Sequence, residues 1–154
     1  MIRGVTFDLW DTIVDDDSDE PIRKQRGLLP KNAERRRLFT TEVLAHHPTV
    51  GEALADEAFD HLNSWFRHEW KQLHRTPHIA DRLRVGLRHL DLQDTPGFDE
   101  LVRAYSYMEV DIPPGLAPGI RDALEALHGT VKIGIVSDAI VTPGIQLREI
   151  IDGH

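Results

Sequence analysis

Two short apolar runs, one near each end of the chain, constrain its fold more than any other feature. Residues 2–8 (IRGVTFD) and 131–136 (VKIGIV) mix β-branched and aromatic side chains, and each run gives way abruptly to polar residues. That is how a buried strand feeding a loop reads, because the runs are too short and too β-branched for a helix. The long stretch between them has helical patterning. Parallel strands need a long crossover between them and helices over their faces. The expected plan is therefore strand, helical insertion, helix, strand, helix, which is an α/β fold with parallel strands.

The helices carry their own start and stop signals. Thr49 followed by Glu52 predicts a capping box, after which Leu54, Ala58, Leu62, Trp65, Phe66 and Leu73 recur at helical spacing. Thr76-Pro77 and Thr95-Pro96 predict two further starts, each a hydroxyl cap with proline in the first helical position. They open helices carrying Ile79, Leu83 and Leu87, then Leu101, Val102 and Tyr105. Ile112-Pro113-Pro114-Gly115 cannot continue a helix, so the insertion ends there. Residues 118–128 are expected to be helical with Ile120, Leu124 and Leu127 inward and Gly129 as the stop; Thr142-Pro143 opens a last helix carrying Leu147, Ile150 and Ile151. Residues 1–15 and 113–154 are thus assigned to the strand-bearing core and 16–112 to an inserted all-helical unit.

With 154 residues there is room for about one ordinary domain. Hydrophobic residues at 40% and charged ones at 29% suit a folded chain rather than a disordered one. The 26 acidic side chains outnumber 18 basic ones, a net charge of −8 that repels a phosphate backbone, so no nucleic-acid partner is expected. The absence of cysteine excludes disulfides, thiolate zinc sites and cysteine nucleophiles. No apolar run approaches the roughly 20 residues of a membrane span, and the first residues lack a signal peptide's apolar stretch. The expectation is a cytoplasmic protein without a membrane partner.

In doubly wound α/β folds, ligands bind beyond the carboxyl ends of the strands. Asp8 closes the first run and Ser137-Asp138 follow the second. On these residues the chain resembles the haloacid dehalogenase superfamily. That family opens with a hydrophobic strand ending in DxDxT, and GVTFDLWDTI puts Asp8, Trp10 and Thr12 in those places; its second motif, a strand ending in Ser or Thr, is matched by IGIVSDA at Ser137. A helical insertion directly after the first motif is similar to the family's C1-type cap. The resemblance implies a partial Rossmann-like core, a covalent nucleophile at Asp8, and substrate or phosphate binding at Thr12, Ser137 and Asp138. It implies a small phosphorylated or halogenated substrate. In the phosphatase type it implies Mg²⁺ held by Asp8 and the main-chain carbonyl of Trp10, and in the dehalogenase type no cofactor.

The chain departs from the family pattern in two places. Trp10 stands where phosphatases carry a second aspartate that protonates the leaving oxygen, and an indole cannot exchange a proton near neutral pH. A halide needs no proton, so Trp10 favours carbon–halogen chemistry. The family's later lysine and paired carboxylates have no counterpart after Ser137, since Lys132 precedes it. The sequence is therefore expected to be the N-terminal part of a longer enzyme, and by itself inactive. The alternative is a truncated, non-catalytic fold or interaction protein. Either way the strand through Val5 and Phe7 is expected to be covered, by a second copy in a homodimer or by a separate C-terminal fragment.

Weaker signals have blander expected readings. The acidic run Asp15, Asp16, Asp17, Asp19 and Glu20 and the cationic block from Arg23 to Arg37 should be solvated. Arg35, Arg36 and Arg37 are expected on an exposed helix face, or toward the site if the helical unit closes over it. His46, His47, His61, His68, His74 and His78 lack metal-ligand spacing and should lie on the surface. Trp65, Phe66 and Trp70 are expected inside the helical unit.

Overall fold

The computed structural model describes residues 2–154. Its elements are β1 (Gly4–Asp8), α1 (Glu20–Gln25), α2 (Lys31–His46), α3 (Glu52–Leu73), α4 (Ile79–His89), α5 (Phe98–Asp111), α6 (Ile120–Leu127), β2 (Lys132–Val136) and α7 (Gly144–Asp152). The fold is mixed α/β with a two-stranded parallel sheet. The strands run in register from Gly4 opposite Lys132 to Asp8 opposite Val136. Both therefore end at one edge, with Asp8 beside the turn that carries Ser137. No helix among the described residues is long and apolar enough to cross a membrane.

The main apolar cluster lies among α2, α3, α4 and α5, around Phe39, Val43, Leu62, Leu83, Leu87 and Tyr105. A second, smaller cluster joins Leu9, Ile13 and Val14 after β1 to Ile120, Leu147 and Ile150. On α2, positions 31, 35, 39 and 43 are successive i, i+4 neighbours and so share one face. Phe39 and Val43 enter the core on that face, and Lys31 is buried on it as well. The cationic block is consequently solvated only in part, because the helical period turns Lys31 inward while Arg37 stays exposed.

Three expected helix starts are corrected. α3 begins at Glu52 after Gly51, whose φ of +77° a side chain would resist, and no side chain caps it; Thr49 lies in the preceding turn. α4 begins at Ile79, where the ring of His78, rather than Thr76, accepts the Ala80 N–H at 3.2 Å. At α5 the cap comes from another helix. The Glu42 carboxylate on α2 accepts the Gly97 N–H at 2.8 Å and the Thr95 hydroxyl at 2.6 Å. α7 follows Pro143, and Thr142 is buried with its hydroxyl donating to Glu109. The stop at Gly129 stands as expected, with φ of +77° just past α6.

The strands themselves are not buried. Ile133, Ile135 and Val136 are 38%, 44% and 63% exposed, and Leu124 and Leu127 on α6 are only half-buried. A two-stranded sheet is too narrow to be sandwiched between helix layers. α7 instead packs Leu147 and Ile150 with the residues just after β1.

Candidate active site

The ends of β1 and β2 open into a cleft of about 580 Å³ whose opposite wall comes from α2, α3 and α5. Asp8, Trp10, Ser137 and Asp138 line it, together with Asp11, Asp16, Asp17, Lys31, Arg35, Trp70 and Glu109. Thr12 does not. It sits in a tight turn where the Ile13 and Val14 N–H groups both bond the Leu9 carbonyl, and this turn keeps it out of the lining. The two strand ends thus bring four of the five expected residues together.

Asp8 is exposed, and its Oδ1 accepts the Leu9 N–H at 2.8 Å, which fixes the carboxyl group at the strand end. The residue lines the cleft. Ser137 Oγ accepts a long 3.4 Å bond from the Ala139 N–H, and Ala139 itself holds φ of +45°. A non-glycine residue there costs of order 1 to 3 kcal/mol and persists only when its surroundings hold it. Trp70 on α3 supplies part of that hold, its indole N–H donating to Asp138 Oδ2 at 2.9 Å across the cleft. Trp70 is therefore a cleft wall, while Phe66 is buried and Trp65 packs on the main cluster.

The acidic run expected to be solvated wraps a buried cation. Lys31 Nζ lies 2.9 Å from Asp19, 3.1 Å from Asp17, 3.6 Å from Glu109 and 3.8 Å from Asp16, and Asp19 is fully buried. Burial alone would pull the Lys31 ammonium down, but the bonds and charges of Asp19, Glu109 and Asp17 outweigh it and raise its affinity for the proton. Glu109 also meets Arg35 at 3.2 Å. With Thr142, it ties the loop after β2 to α2 and α5.

Asp16 is the strained member of this group. Burial first, then Asp17 and Glu109, raise its carboxyl above the ordinary value despite Lys31. A carboxylate with a raised folded pKa is ionised against the fold's preference at neutral pH, and that cost disappears once it is protonated. Asp16→Asn is therefore expected to raise the urea midpoint slightly at pH 7 and to match the parent below the ordinary carboxylate range. The gain is small because the side chain is half exposed and screened. A midpoint lowered at pH 7 would show that Asp16 supports the cluster.

Arg36 and Arg37 behave as expected, pairing on the surface with Asp56 and Glu34. The histidines named above are exposed or half-buried, His61 stacks on His89 at 4.4 Å, and among the described residues no three potential metal ligands converge. Sequence reading missed Lys31, Trp70, Glu109 and Asp11 as cleft residues. For Lys31 the signal was present in the continuity of positions 31, 35, 39 and 43. No protein-family model matches the chain, and no curated protein is a significant match to it. Function has to be read from the cleft.

Proposed function

We infer that the chain is a hydrolase domain of the haloacid dehalogenase type, in which 16–112 acts as a helical cap over a partial Rossmann-like core. One observation carries this reading: Asp8 and Ser137-Asp138, at the ends of adjacent parallel strands, share a cleft roofed by the helical unit. In the proposed reaction a carboxylate oxygen of Asp8 attacks a carbon bearing halogen, or a phosphorus. The leaving group departs with the bonding electrons, and water then hydrolyses the ester or acyl phosphate to regenerate the carboxylate. Ser137 donates to the transferring group. Trp10 cannot protonate a leaving alkoxide, which favours halide as the leaving group.

For magnesium, the described residues offer Asp8 and the Trp10 carbonyl, short of the near-octahedral oxygen set that the ion demands. Positive charge enters the cleft from Lys31 and Arg35 instead. Both are already engaged by carboxylates, so turnover is expected to be slow. Halide release from short 2-haloacids and phosphate release from p-nitrophenyl phosphate test the reading. Asp8→Asn should abolish either activity, by on the order of 10⁴-fold where the signal allows, and Trp10→Asp should raise phosphate release by about 10²- to 10⁴-fold. Turnover unaffected by Asp8→Asn would exclude the aspartate nucleophile. A second reading, a non-catalytic domain that associates through its sheet, is favoured by the exposure of Ile133, Ile135 and Val136, and it stands if neither substrate turns over.

A further inference from the structure

The loop after β2 carries Ser137 but does not hold itself. From Asp138 to Thr142, no backbone group bonds another backbone group among the described residues. The bond from the Ala139 N–H to Ser137 Oγ is 3.4 Å, long for a hydrogen bond. Ala139 also sits at φ of +45°, a conformation that a residue with a side chain keeps only when its surroundings impose it. Those surroundings lie outside the loop.

Three anchors come from the helical unit. The Trp70 indole N–H on α3 donates to Asp138 Oδ2 at 2.9 Å. Val141 packs against the main apolar cluster. The buried Thr142 hydroxyl donates to Glu109 on α5. On the strand side the loop adds the packing of Ala139 on the smaller cluster. The anchors are themselves well fixed, since Trp70 stacks on Phe66 at 6.4 Å between ring centres and the buried Glu109 meets Arg35 at 3.2 Å. Asp138 and Ser137 thereby take different parts. Asp138 is the handle that the indole grips, whereas Ser137 Oγ only accepts a bond from the loop and keeps its own proton for a ligand in the cleft.

We propose that Trp70 and Glu109 are positioning residues for Ser137, holding its loop from across the cleft so that the hydroxyl is aimed by the helical unit rather than by the strand that carries it. The inference deepens the hydrolase reading and rests on it for its meaning, because there Ser137 donates to the transferring group. A donor must be fixed before the transition state forms if it is to stabilise it.

The test is ¹⁵N relaxation on the full chain without substrate. Backbone order parameters of residues 137–142 should lie near the rigid value of about 0.85 in the parent. Trp70→Phe keeps the ring and loses only the N–H, so residues 137–140 should fall below about 0.6 while β2 and α3 stay rigid. Asp138→Ala should do the same, and Asp138→Asn, which keeps an oxygen for the indole, should stay near the parent. The double variant Trp70→Phe with Asp138→Ala should be no looser than either single one, because both lose the same bond. Thr142→Val leaves Glu109 its cations and should loosen residues 140–142. In any turnover, Trp70→Phe should cost about 10-fold in kcat, a part of the roughly 10²- to 10³-fold that a lost transition-state donor costs, and nothing further in a Ser137→Ala background. Unchanged loop order in Trp70→Phe or in Thr142→Val, a parent loop already mobile, or order lost throughout α3 would overturn the proposal. A chain that turns over neither substrate yet loosens as described refutes the hydrolase reading and leaves the positioning role standing. Turnover abolished by Asp8→Asn, with a loop indifferent to Trp70→Phe, does the reverse.

Discussion

Replacing Lys31 with methionine is expected to destabilise the chain by about 3 to 5 kcal/mol, the range for removing one partner of a buried ion pair. The ammonium is 5% exposed and meets four carboxylates, of which Asp19 is wholly buried and has one oxygen without any partner. Methionine fills the space but leaves Asp19 as an uncompensated charge inside the molecule, while Glu109 keeps Arg35. Such a loss is a large share of the roughly 5 to 15 kcal/mol that holds a domain together. Urea denaturation measures it directly, and a loss below about 1 kcal/mol would mean that the cluster is solvated after all. The double variant Lys31→Met with Asp19→Asn should recover part of the deficit, because the buried charge and its need for a partner go together. The parent's pH dependence follows with a definite sign. Lys31 has a folded pKa above the ordinary 10.5, so its contribution is complete below that value and is lost as pH rises through the folded one.

Lys31 also marks the boundary of what could be read from sequence. The strand ends were legible, because a short β-branched run closing on Asp8 or Ser137 identifies itself without any tertiary information. The charge blocks were misread because composition says how many charges a segment holds, while the helical period decides which of them face inward. Positions 31 and 35 fall on the stripe of Phe39 and Val43, and that stripe outweighs the polarity of their neighbours. The helix starts failed for a different reason. Thr95 looked like a cap, yet the donor at the head of α5 is satisfied by Glu42, more than 50 positions away in sequence. Local patterns cannot reveal a cap supplied by another helix. Trp70 shows the same limit, since its partner Asp138 lies 68 residues on.

Gly86→Ala is expected to lower stability by about 1 to 3 kcal/mol, against the helix preference that would by itself gain close to 1 kcal/mol at an interior glycine. The outcome turns on where the new methyl group would sit. It would come 2.7 Å from Leu62 Cδ2 and 2.8 Å from Phe39 Cζ, both closer than carbon atoms approach in real cores. Neither neighbour can yield into solvent, because both side chains are fully buried, and the Phe39 ring is further confined by Phe59 at 6.1 Å. Relief has to come from moving α4 away from both α2 and α3. That displacement would be felt in the cleft, since Arg35 is one turn and Lys31 two turns from Phe39 on the same face of α2. Gly86→Ala should therefore lower the urea midpoint, and Phe39→Leu in the same chain should restore part of the loss by opening space for the methyl group. A Gly86→Ala protein as stable as the parent would mean that α2 and α3 sit far enough from α4 for helix preference to decide.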